Sequence, residues 1–92
     1  MEQSSRRKRR KDQLYWLGLN LSHYRKLRRM ERDELAAKSG VSLSAIACIE
    51  ATNITTNHKI KTILDLADAL EIPPHLLFDF TKGDMYGKKI EG

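Results

Sequence analysis

An all-α domain of five helices is the fold class this sequence predicts, and three observations predict it. Apolar residues recur at helical spacing in two long segments, roughly 13–28 and 59–72. Two short helical segments flank a turn at Gly40, and the second begins behind Ser42, a good N-cap. Pro73 and Pro74 then punctuate the chain where one helix must stop and another can start. At 92 residues the chain can bury a single modest core. The expected organisation is therefore a flexible basic arm over 1–13, one folded domain over 14–80 and a polar tail over 81–92.

The arm, MEQSSRRKRRKDQ, has almost no apolar residues and a run of six basic ones, so alone it cannot bury enough surface to fold. From Leu14 the pattern changes. Leu17, Leu21, Tyr24 and then Leu27 or Arg28 fall on one side of a first helix, and Arg25, Lys26, Arg28 and Arg29 make its other side basic. ERDELAAKSG reads as a second helix, with Asp33 and Glu34 at the positive end of its dipole, Lys38 near the other end and Gly40 as its stop. Its inner side is Leu35 and Ala36, with Met30 packing just before it. The third helix runs from Ser42 to about Ala51 with Ile46 and Ile49 inward. TNITTNH is a loop of turn formers and β-branched residues. KIKTILDLADALEI is the strongest helical segment, with Ile60, Ile63, Ala67 and Leu70 on one face and Leu64 and Leu66 widening it. PPHLLFDF, with Pro74 at a first helical position, predicts a short fifth helix.

Charge points to the partner. The formal net charge of +5 is unevenly placed: residues 1–12 hold six Lys/Arg against two acids, residues 13–80 eight against eight, and residues 81–92 three against two. A basic run on a neutral domain suits a polyanion, because Lys and Arg gain affinity by displacing counterions from phosphates. Nucleic acid is the first candidate.

Several function classes find little support. His23, His58, His75 and the lone Cys48 lie far apart with no acid at ligand-like spacing, so neither a metal site nor any other cofactor is expected. No glycine-rich phosphate loop and no nucleophile motif appear, so no enzymatic activity and no small-molecule substrate are expected. One cysteine cannot close an intrachain disulfide, which suits a reducing compartment. LYWLGLNL is too short, contains Asn20 and runs into SHYRKLRR without a small-residue cleavage site, so export is not read. The apolar runs also fall far short of the ~20 residues a membrane span needs. The expected location is the cytoplasm.

The segment from Leu17 to Phe80 resembles the λ-repressor-like, Cro-type or XRE family of helix-turn-helix DNA-binding domains. LGLNLSHYRKLR matches the first helix, MERDELAAKSGVSLSAIACIE the helix-turn-helix, and ILDLADALEIPPHLLF the two closing helices. Leu35–Ala36, Gly40, Ile46 and the terminal Glu50 stand at the family's spacing. The resemblance implies an ion pair between Arg25, late in the first helix, and Glu50, which a bidentate guanidinium can make. There are departures. Glu31 and Arg32 replace the usual Ser and Gln, Arg29 replaces a Gly, and Ala51–Thr52 stand where Gly is usual.

The same resemblance puts the start of the third helix in a major groove, with Ser42, Leu43, Ser44, Ala47 and Cys48 as the exposed set. None offers a guanidinium or an amide, so direct readout should be modest, with Leu43 and Ala47 meeting thymine methyls and the serines donating or accepting. Arg32 would contact phosphate, as would Asn53, Thr55, Thr56, Asn57, His58 and Lys59 of the following loop. Arg6, Arg7, Lys8, Arg9, Arg10 and Lys11 would follow a neighbouring groove, where narrow A·T-rich stretches attract Arg. The expected partner is double-stranded DNA, bound by a homodimer through the fifth helix and the tail, with Leu76, Leu77, Phe78 and Phe80 as candidates for the dimer surface, although some of them must belong to the core. The implied function is a small transcriptional regulator at the bacterial nucleoid, a repressor of phage or mobile-element type. The rival is an antitoxin-like module whose helix-turn-helix contacts another protein. A solubilising tail or import signal for the basic run, a basic amphipathic helix for membrane or calmodulin, and a redox role for Cys48 are blander or narrower alternatives.

Overall fold

The computed structural model describes residues 2–51 and 57–81, with side chains from residue 6 onward. Among the described residues it is all-helical, with helices α1 (Glu2–Leu27), α2 (Arg32–Ser39), α3 (Leu43–Glu50) and α4 (Ile60–Leu70), followed by a 3-10 turn at Pro74–Leu76.

Helix α1 begins eleven residues earlier than the periodicity around Leu14 indicates. Apolar spacing cannot mark a start in a segment without apolar residues. Arg, Lys, Gln and Glu are good helix formers, and adding turns to a helix already anchored by Leu17 and Leu21 avoids the cost of nucleation. Arg10 Nε donates to Gln13 Oε1 at 3.1 Å along this extension.

Helix α2 stops at Gly40, whose φ of 76° is the left-handed conformation that favours glycine, and whose N–H donates to Ala36 O. Ser42 then caps α3, its Oγ accepting from Ala45 N–H at 3.1 Å. Arg29, at the position where the resembled family has glycine, also takes a positive φ of 58°. Its backbone conformation accounts for the glycine preference there.

The core is one cluster: Leu17 and Leu21 of α1, Met30, Leu35 of α2, Val41, Ile46 and Ile49 of α3, Ile63, Leu66, Ala67 and Leu70 of α4, and Leu77. Gly18 marks the closest crossing, because a Cβ there would run into the carbonyl oxygen of Ile49. Three expected inward residues face out instead. Leu27 is 63%, Ile60 64% and Leu64 44% exposed. Leu27 and Ile60 stand at helix ends beyond the core layer, and Leu64 lies beside the Ile63, Leu66, Ala67 and Leu70 stripe rather than on it.

The expected fifth helix is reduced to the turn at Pro74–Leu76. Asn20, buried in α1, explains the early stop: its Nδ2 donates to Leu77 O at 3.0 Å and to Asp79 O at 2.9 Å, taking carbonyls that a continuing helix would use. Asp79 Oδ1 meanwhile accepts from the backbone N–H of Thr81. Leu77, expected at a dimer surface, is 1% exposed and belongs to the core. Arg28 closes the other side, with Nε donating to Leu70 O at 2.8 Å and Nη2 to Glu71 O at 3.0 Å at the end of α4. The predicted tail from residue 82 on lies outside the described residues.

Candidate nucleic-acid interface

The interface is organised by one buried carboxylate. Glu50 ends α3 and points back at α1, where Arg25 Nε donates to Oε2 at 2.8 Å and Nη2 to Oε1 at 3.0 Å. The remaining Arg25 nitrogen, Nη1, donates to Met30 O at 2.8 Å. The hydrogen bond to Glu50 is the largest cause holding the Arg25 pKa above its ordinary value, against the opposing effect of burial. This bidentate pair ties the end of α3 to α1 at two points.

Arg32 is the unexpected third member. Its Nε donates to Glu50 Oε1 at 2.9 Å, while its side chain remains 46% exposed. Arg32 therefore turns toward α3. It borders a cleft lined by Arg25, Glu31, Arg32, Asp33, Leu43 and Ala47, between the first turn of α2 and the outer side of α3. Family spacing suggests the Arg25 partner, but no pattern in the sequence marks the second guanidinium on the same carboxylate.

On α3, Leu43 is 49% exposed and Ser42 and Ser44 are exposed, whereas Ala47 and Cys48 are half-buried. Ser42 is already engaged as the cap, and its Oγ lies 3.4 Å from Ser44 Oγ. The exposed start of α3 thus presents two hydroxyls and the apolar Leu43, with the half-buried Ala47 one turn on. The loop contributes exposed Asn57 and Lys59 and a half-buried His58. Desolvation holds the His58 pKa below its ordinary value. Asn53, Thr55 and Thr56 lie outside the described residues.

Arg6, Arg7, Lys8, Arg9, Arg10 and Lys11 are all exposed on the N-terminal turns of α1. Arg7, Arg10, Lys11 and Leu14 share a hollow with Asn57, which brings two sequence-distant candidate sets together: the basic run and the segment entering α4. A second hollow next to it holds His58 with Ile60, Phe78 and Phe80. Among the described residues no group of His, Cys, Asp and Glu is arranged to hold a metal ion, and no helix is long and apolar enough to cross a membrane.

No protein-family model and no curated protein matches the chain. A solved structure does: the high-resolution crystal structure of the restriction-modification controller protein C.AhdI from Aeromonas hydrophila superposes with a TM-score of 0.65. Sequence identity is 32%, and the match covers 71% of this chain and 96% of the controller protein. Identity at that level over nearly the whole of the other protein reaches beyond likeness of fold, and with α2, the Gly40 turn and α3 forming a helix-turn-helix, the chain belongs to the helix-turn-helix family of this controller protein.

Proposed function

We propose that the chain is a transcriptional regulator of the λ-repressor-like, XRE class that binds double-stranded DNA through α3 as a homodimer. The observation that carries this reading is α3 itself. It is locked to α1 by the buried Arg25–Glu50 pair while Ser42, Leu43 and Ser44 at its start stay exposed, in a chain related to a restriction-modification controller protein. The name of that relative favours restriction-modification genes as the target class, beside the phage or mobile-element setting expected from the sequence. The protein would act by repression, in the bacterial cytoplasm, without cofactor.

A domain of this size has a small DNA interface, and two-fold pairing across half-sites about 34 Å apart would supply the rest of the affinity. Ile60 and Leu64, one turn apart on α4, and Phe78 are exposed apolar residues suited to the dimer surface.

Titration of a mixed-sequence duplex at low salt tests the reading, followed by selection of bound fragments from random duplexes. Binding is expected, with an A·T-rich, imperfectly palindromic consensus. Failure to bind any duplex at low salt would move the helix-turn-helix to a protein partner, as in an antitoxin-like module.

A further inference from the structure

Helix α3 carries no guanidinium or amide on its outer side, yet the cleft beside it holds one with donors to spare. Both oxygens of Glu50 are occupied, Oε2 by Arg25 and Oε1 by Arg25 and Arg32. Arg25 is buried and spends its Nε, Nη1 and Nη2 on Glu50 and Met30. Among the described residues Arg32 is gripped along its Nε edge. That grip turns the Nη1–Nη2 end away from the carboxylate, as a pair of parallel donors on a half-exposed side chain. Two parallel donors match two acceptors lying side by side, and in the major groove guanine O6 and N7 are such a pair.

We infer that Arg32, oriented by Glu50, reads a guanine beside α3 and supplies the hydrogen-bonded specificity that the side chains of α3 lack. This rests on the DNA-binding reading above. Two observations favour a base over a phosphate. The cleft is shared with Leu43 and Ala47 of α3, the residues read above as meeting thymine methyls, and Leu43 is 49% exposed there. Glu31 and Asp33 also line it, two acids beside the guanidinium groups of Arg25 and Arg32, and the charge of Arg25 is already met by the buried Glu50. A phosphate would meet like charge there, whereas a neutral base edge would not. Glu50 is then a positioning residue, and the same carboxylate that fixes α3 on α1 aims the reader. The expected consensus keeps its A·T-rich character and gains one guanine in each half-site.

The test is selection from random duplexes, then affinities on matched duplexes with and without that guanine, for the wild type, Arg32→Lys, Arg32→Gln and Glu50→Gln. Lysine keeps the charge and loses the paired donors, so guanine preference should fall about tenfold or more. Glutamine suits adenine N6 and N7, so Arg32→Gln should shift preference toward adenine at that position. For Glu50→Gln the readout is the ratio of the two affinities. Partial unfolding scales both alike and leaves the ratio unchanged, so a drop in it reports lost positioning. Undiminished guanine preference in Arg32→Lys, equal weakening of all duplexes in Arg32→Gln, or an unchanged ratio in Glu50→Gln overturns the inference. A wild type that binds DNA without enriching a guanine overturns it too. A wild type that binds no duplex at low salt sinks the DNA-binding reading itself.

Discussion

Glu50 shows what a single residue does in this domain. Its side chain is 1% exposed, and so costly to bury that it persists only because Arg25 and Arg32 both donate to it. Glu50→Ala leaves the buried Arg25 guanidinium facing an apolar methyl, and a loss of ~3–5 kcal/mol is expected. Chemical denaturation of the variant checks this, and a stability equal to the wild type would mean that the pair contributes nothing. His58 works in the opposite direction, since burial favours its neutral form in the folded state. The unfolded chain takes up a proton first as pH falls below about 6.5, so stability is full above that pH, declines as pH drops toward the lower folded value, and levels off once both states are protonated. The melting temperature should therefore fall between about pH 7.5 and pH 5.5, and His58→Asn should remove the part of that fall due to this side chain. An identical pH profile in the variant would show that the hollow around Ile60, Phe78 and Phe80 does not desolvate the ring.

At the scale of elements, α1 and α3 cross at Gly18, where the Ile49 carbonyl takes the space a side chain would need. Gly18→Ala should force the helices apart, at ~1–3 kcal/mol for overpacking, even though alanine is the better helix former. A gain in thermal stability would mean that helix propensity outweighs the crossing. This residue also marks the limit of what the sequence makes legible. A lone glycine inside a helical pattern signals close approach in general, but not which backbone approaches. The Gly40 turn and the Ser42 cap locate α2 and α3, and apolar spacing locates α4, because a core stripe such as Ile63, Leu66, Ala67 and Leu70 is written into local order. It does not reveal how far α1 extends through charged residues, or that the last helix shrinks to a turn. The latter depends on Asn20, 57 residues from the Leu77 carbonyl it engages. The site divides along the same line. Arg25 with Glu50 is readable from family spacing, whereas Arg32 on Glu50 needs the fold to bring the start of α2 to the end of α3.

For the whole molecule the question is how the basic run adds to the interface. Helix α1 has 26 residues, so at about 1.5 Å each it spans about 39 Å, close to the 42 Å longest extent of the protein. Its N-terminal turns therefore project past the core as a charged rod. Arg7, Arg10 and Lys11 share a hollow with Asn57, in the segment expected to meet phosphates. If this rod follows the DNA backbone, each Lys or Arg that neutralises a phosphate adds about 0.9 to the slope of log affinity against log salt. Deleting residues 1–12 should flatten that slope by several units and weaken binding at moderate salt by about 10- to 1000-fold. The fold should barely respond, because these residues lie N-terminal to Leu17 and Leu21, where the buried core of α1 begins. A charge held on a helix reaches the phosphates its own face meets, so the change in slope should be smaller than six charges acting independently would give. A salt titration of the full and shortened proteins on one duplex measures it. Parallel lines would show that the rod points away from DNA, and a collapse of the melting temperature would show that it supports the core.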